Sequence, residues 1–510
     1  MKHLRKKLAA LAVGGMALAM TSMPAMAAKD SMTIAMVDKF HTMEPYQTSA
    51  RQMLQMAYMI WDPLVLRDPD TGEILPHVAV KWSNPEPTIW EFDIRNDITF
   101  HSGNKLTAES IRFTIEDRIL DPEIKSPRLP NFKWVKSVEV VDEDTFRIHT
   151  HEVYPIALQV LNTLYVMDEK WAAEHDFQYI QEHAMGSGPY MWVEWNKGSN
   201  IVLKKNPNYW MDGVPAIDNV TIKIVPETAT RMAELFAGSV DFAMNLQLDQ
   251  LESFDSRPDY EVLEGKIIRV DFWQFDSMGR AGDTPVKDVR VRKAMAHAIN
   301  RDMIVERLVG RGGYKVNTPM SPYHFGVNKD ATWYEYDPDK AKALLAEAGY
   351  PDGFEVDLWQ YSAHQNLPNQ AAMQMLAKVG IKVNLKDYRG NSQQMGKLRR
   401  GGQITGIGNF NWGSYNIFDA DAILFSFFDV ESSNNYSGDK ELSEILTKAR
   451  FSVDEEFRKE QYLKAQKIIH DNVYWMPTFG VVRFYGKHAD LDIKAGLDEV
   501  PRFQFAKWKK

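Results

Sequence analysis

The sequence predicts an α/β fold of more than one domain, and three observations carry that reading. The chain has 510 residues, far more than a single hydrophobic core supports. Short runs of strand character alternate with amphipathic helical segments, the order that lays helices against a sheet. Neither an internal repeat nor a low-complexity linker divides the chain, so its domains are expected to be discontinuous, woven from segments that cross more than once.

The elements follow in order. Lys2, Arg5, Lys6 and Lys7, an apolar stretch over 8–20 and the small-residue site Ala25-Met26-Ala27 make residues 1–27 a cleavable secretory signal. The chain has no cysteine, hence no lipid-modified cysteine anchor and no disulfide, and the expected location is the periplasm, in soluble form. Residues 33–37 read as a strand. Residues 51–60 read as a helix, because Met53, Met56, Met59 and Ile60 recur at helical spacing. Thioethers suit copper(I), but a methionine stripe on one helical face more often packs a core.

Residues 90–94 alternate like a half-buried strand, and Phe100-His101-Ser102-Gly103-Asn104 is a turn. Thr107 then caps a helix with Ile111, Ile115 and Ile119 on one face. Residues 138–141 and 145–149 form a hairpin around Asp142-Glu143-Asp144. His149 and His151, two apart, have metal-ligand spacing but no evident third ligand. Residues 289–309 read as one long helical region. In Asp337-Pro338 the aspartate caps, the proline takes the first helical position, and Ala341, Leu344, Leu345 and Ala348 form a stripe that Gly349 ends. Further helices are expected over 442–451 and 455–471, and strands over 355–359 and 382–385.

Composition excludes several functions. An apolar share of 44% and an aromatic share of 12% fit a globular protein. After the signal, no apolar run approaches the roughly 20 residues of a bilayer span. The formal charge of −9 becomes more negative once the basic signal is removed, which disfavours nucleic acid. Gly186-Ser187-Gly188-Pro189 lacks the spacing of a serine-hydrolase elbow. His151-Glu152 meets Pro155 where a zinc protease needs histidine, and the glycines before Gly486-Lys487 miss the phosphate-loop spacing. The glycines near Gly402, Gly406 and Gly408 match no nucleotide fingerprint. No enzyme, cofactor or metal is indicated.

From about Ile34 onward the motifs resemble a known family. They are Trp61-Asp62-Pro63-Leu64-Val65, Gly72-Glu73-Ile74-Leu75-Pro76, Phe92-Asp93-Ile94-Arg95, Gly186-Ser187-Gly188-Pro189-Tyr190 and Asn206-Pro207-Asn208-Tyr209-Trp210. Val289-Arg290-Val291-Arg292-Lys293-Ala294, Ala298-Ile299-Asn300-Arg301 and Gly380-Ile381-Lys382-Val383 complete the series. In this order the chain is similar to the extracytoplasmic solute-binding proteins of ABC importers, of the peptide/nickel type. The resemblance implies a two-lobed periplasmic binding protein fold with hinge strands and an additional inserted domain. It divides the chain into lobe I (28–60, 185–266 and 483–510), an inserted domain (61–184) and lobe II (267–482), with crossings near 267–275 and 477–485. It further implies a monomer that captures a peptide-like small solute in an interlobe cleft and delivers it to an inner-membrane permease.

The cleft stretch departs from the pattern of the peptide binders. Where they carry an aspartate for the ligand amine after a tryptophan, this chain has Trp412 followed by Tyr415, and Asp419 stands one place beyond the second aspartate's position. No arginine occurs between Gln360 and Asp387, where dipeptide binders hold the ligand carboxylate. An ordinary free dipeptide is therefore disfavoured. Trp412-Gly413 with Tyr415 also resembles the nickel-chelate binders, but their histidine is missing from Ser432-Ser433-Asn434-Asn435-Tyr436. Trp273, Trp412 and the Phe40-His41 loop are candidate stacking platforms for an oligosaccharide, with core packing the other reading of each ring. The candidate ligand-binding residues are thus Trp412, Tyr415, Asp419, Phe40, His41 and Trp273. A modified amino acid remains an alternative ligand; a secreted hydrolase, or a chaperone or sensor partner, is the competing class.

Overall fold

A computed structural model describes residues 29–413 and 417–509, so the signal segment and Tyr415 lie outside the described residues. An eleven-stranded sheet organises the molecule around two long antiparallel strands, Tyr260–Phe275 and Trp475–His488. Beyond Trp475–His488 lie Phe242–Leu246, Ser31–Met36, Asn219–Ile224, Asn200–Lys205 and Tyr190–Asn196. Beyond Tyr260–Phe275 lie Ile407–Trp412, Phe354–Gln360 and Ile381–Asp387. The long strands serve different cores at their two ends. Leu263, Phe484 and Tyr485 pack with the first half of the molecule, whereas Ile267, Trp273, Phe275, Phe479 and Val481 pack with the second.

The first half is broadened by a four-stranded antiparallel sheet in the order Ala79–Glu86, Ile89–Ile94, Thr145–Thr150, Val135–Val140. Its Phe92, Phe146 and Ile148 share one core with Ile34 and with Met53, Met56 and Met59 of the helix Arg51–Ile60. The methionine stripe is core packing: unbranched side chains fill the irregular gap between two sheets. Thr107 and Ser110 form the reciprocal capping box of the helix Ala108–Ile115, and Ile111, Ile115 and Ile119 are all buried.

The glycine and aspartate motifs of the first half are structural. A Cβ on Gly186 would lie 2.0 Å from the Ile60 carbonyl oxygen, and one on Gly188 would lie 2.6 Å from the Ile60 carbonyl carbon. Only glycine lets this loop close on the end of the helix. Beside it, buried Asp62 accepts hydrogen bonds from Ser187 Oγ (2.8 Å) and Tyr209 Oη (2.8 Å) and pairs with His77 Nε2 (2.8 Å). One carboxylate thereby ties four separate sequence segments together.

In the second half the expected continuous helix over 289–309 is broken. Val289–Ala298 ends where Ile299 turns extended (φ −107°, ψ 116°), and Asn300 starts a new turn by accepting a hydrogen bond from the Met303 amide at 2.9 Å. Asparagine competes for backbone donors and so favours a cap over a helix interior. The helix Pro338–Glu347 has Asp337 as its cap, and Gly349 follows it at φ +93°.

Candidate functional site

The site is built at the junction of the long strands. The register of Tyr260–Phe275 shifts between Lys266 and Val270, and the bulge releases the Ile268 amide from the ladder. That amide donates to the Leu497 carbonyl at 3.1 Å, pinning the C-terminal segment across the junction. Two residues on, Glu499 adopts φ +65°, a left-handed conformation costly for a side chain with a Cβ. The first turn of Arg51–Ile60 holds it there. Gln55 Nε2 donates to the Glu499 carbonyl (3.1 Å) and Arg51 Nη1 to the Asp498 carbonyl (3.3 Å).

Three arginines from three elements face the Glu499 carboxylate. Arg269 donates through Nη2 (2.8 Å) and Nε (3.1 Å) to Oε1, Arg51 Nη2 lies 4.0 Å from the same oxygen, and Arg483 Nε lies 3.6 Å from Oε2. Burial pushes the Glu499 carboxyl upward, but Arg269, Arg51 and Arg483 together outweigh it and hold the group well below the usual carboxylate range. The second half reaches the same point. Arg269 Nη1 donates to Asn411 Oδ1 at 2.8 Å, and a Cβ on Gly413 would stand 3.3 Å from Arg269 Nη2. The Asn411 amide in turn donates to Tyr361 Oη at 3.4 Å.

A second polar network lies two residues along the same strand. Buried Asp271 accepts from Asn409 Nδ2, Thr478 Oγ1 and Gln365 Nε2, each at 2.7 Å, and His364 Nε2 stands 3.4 Å away. These bonds lock the strand Ile407–Trp412 to both long strands. The wall that presents Asn411 and Trp412 is therefore rigid.

The sequence-predicted residues fall into different places. Trp412 is half-buried at the end of the strand whose Asn411 bonds Arg269, but its own ring meets Phe427 edge-on at 5.0 Å and packs against a core of the second half. Asp419 is 3% exposed, and its Oδ2 accepts from Arg458 Nη2 at 2.8 Å. Its carboxylate is thus engaged inside the second half. Trp273 is 1% exposed, donates from its indole nitrogen to Asn369 Oδ1 at 3.0 Å and packs in the core of that half. Phe40 is buried in the first core, and neighbouring His41 is exposed. Sequence reasoning missed Arg51, Arg269, Arg483 and Glu499. The one available signal was an arginine within each of the two expected crossing segments.

Other arrangements carry less. A cavity of about 380 Å³ lies between residues 317–333 and the helix Glu455–Asp471, lined by Trp333, Gln466 and His470. Its walls belong to one half only, so movement of the halves would not enclose a solute there. The Asp62, His77 and Ser187 set has the residue types of a hydrolase, but the serine hydroxyl donates to the aspartate. A nucleophile needs its base where the acid stands here.

Comparison with known proteins agrees with this architecture. The family model described as bacterial extracellular solute-binding proteins, family 5 (middle), matches residues 73–435. Heme-binding protein A of Haemophilus influenzae is 28% identical over 461 residues, covering 83% of this chain and 82% of its own. Glutathione-binding protein GsiB of Salmonella choleraesuis is 27% identical over 479 residues, covering 92% of each. The structure of HbpA2 from Haemophilus parasuis superposes with a TM-score of 0.84 at 21% identity, over 94% of this chain and 100% of its own. With the family model spanning most of the chain, and a two-lobed sheet joined by two long strands beneath it, the protein belongs to the bacterial extracellular solute-binding proteins of family 5.

Proposed function

We propose that the protein is the periplasmic solute-binding component of an ABC importer, holding a peptide-like small solute between its two halves and passing it to a membrane permease. The observation that carries this reading is the polar cluster at the long strands, to which both halves contribute: Arg51 and Glu499 from one, Asn411 from the other, Arg269 and Arg483 from the strands themselves. A solute bound there lies where hinge movement closes the walls, which desolvates it and strengthens each polar contact. The relative named for glutathione, a tripeptide, favours a peptide-like solute over a sugar or nickel chelate.

In this reading lobe I is 28–60, 185–266 and 483–510, lobe II is 267–482, and 61–184 is the inserted domain. The chain works as a monomer after removal of residues 1–27, and it performs no chemistry on its solute. Mass spectrometry of the small molecule released on denaturing the purified protein, followed by calorimetric titration with that molecule, tests the proposal. Hydrolysis of a peptide or ester panel by the pure protein would sink it.

A further inference from the structure

Charge is unbalanced at the junction. Arg51, Arg269 and Arg483 surround one carboxylate, Glu499, and their side chains remain 29%, 20% and 36% exposed. Asp498, next to Glu499, and Asp271, two residues along the strand from Arg269, are spent elsewhere. Both oxygens of Asp498 accept from Arg502 (3.0 and 2.8 Å), and Asp271 is held by its three donors. The chain as a whole is acidic, at −9, so a local excess of cations at a cleft is not a by-product of composition.

The donors are also unequally used. Each nitrogen of the Arg269 guanidinium donates, to Glu499 or to Asn411. The Arg483 side chain, the most exposed of the three, makes no hydrogen bond among the described residues; its contact with Glu499 at 3.6 Å is longer than one. A guanidinium in that state offers a planar fork that matches a carboxylate.

We infer that this cluster is the acid-recognition end of the interlobe site and that its solute is a net-anionic molecule with two or more carboxylates, one of them seated on Arg483. The inference rests on the reading that the solute binds between the halves, and it adds the chemical class. It also removes the need for an ammonium anchor: Asp419 is occupied by Arg458, so a free α-amine gains no partner from it, whereas a carboxylate gains Arg483 at the junction.

The test uses paired probes in which the carboxylates are either free or masked as neutral esters or amides. Thermal stability and calorimetric affinity are measured for the purified protein with glutathione and its diethyl ester, and with glutarate and glutaramide. The set is repeated for Arg483→Gln and for Lys382→Gln, a control on the exposed edge strand. Glutathione and glutarate are expected to bind and stabilise, the ester and the diamide to lose at least about tenfold in affinity, and Arg483→Gln to lose a similar factor for the acids alone. Arg51→Gln serves as the second variant if Arg483→Gln folds poorly. The inference is overturned if the ester or diamide binds as well as its acid, if neither diacid binds, or if both arginine variants keep wild-type affinity. A neutral peptide bound tightly and indifferent to Arg483 overturns it while leaving the peptide-like reading intact. Diacids bound without any peptide binding overturn that reading and leave this inference standing.

Discussion

Asp419 and Glu499 are both buried carboxylates held by arginine, yet they leave different things open. Asp419 faces Arg458, which is itself buried, and among the described residues the other hydrogen bond from that guanidinium goes to Tyr462 Oη at 3.1 Å. Asp419→Asn therefore strands a buried cation, and a loss of about 3 kcal/mol is expected in urea unfolding, with solute affinity of the folded protein unchanged. His324 makes a prediction with pH. Burial holds its imidazole down to about 4, below the ordinary 6.5, so between those values the unfolded chain binds more protons than the folded one. Its contribution is complete above pH 6.5 and is lost as pH falls through 4, amounting to about 3 kcal/mol. Buried Glu44 and Asp421 have the opposite sign, because burial raises them to about 7 and about 6, and what they add at low pH is lost as pH rises. The stability difference between wild type and His324→Asn isolates the histidine, and it should shrink steadily from pH 7 to pH 4.

At the scale of elements, the first half depends on how closely the 186–190 loop approaches the end of Arg51–Ile60. Gly186→Ala would put a methyl group against the Ile60 carbonyl, where the neighbour is backbone and cannot rotate away. A loss of about 3 kcal/mol or more is expected in denaturant unfolding, or failure to fold. The break at Ile299-Asn300 is a milder case. Asn300→Ala removes the side-chain acceptor for the Met303 amide and should cost about 1 kcal/mol in the same assay. An unaltered midpoint would mean that the turn is held by the Asn300 amide donating to Met375 Sδ and by Arg301 stacked on Trp333, not by the cap.

For the whole molecule, the two long strands are the mechanical connection between the halves, and a solute at their junction should draw the halves together. At about 100 times its dissociation constant, a solute that binds only the folded state adds roughly 2.7 kcal/mol of apparent stability. The scattering radius should fall at the same saturation; a radius unchanged at saturation rules out hinge closure. Much of the frame was legible from sequence alone. The helices Arg51–Ile60, Pro338–Glu347 and Glu455–Asp471 and the hairpin around 142–144 follow from apolar periods, caps and turn residues, which are properties of neighbouring residues, whereas the two crossing strands were implied by the family resemblance. The break at 299 was hidden because a single asparagine cap inside an apolar pattern does not interrupt its period. The site was hidden for a different reason. Arg269 and Glu499 are 230 residues apart and meet only because a bulge in one long strand captures the C-terminal segment, while Asp419 is withdrawn by an arginine on a helix packed behind it. Sequence by itself determined the periodic and capped helices, the hairpin around 142–144 and the family resemblance. The fold alone decided which charges meet, because strand register and segment crossing are long-range outcomes of packing that no local pattern encodes.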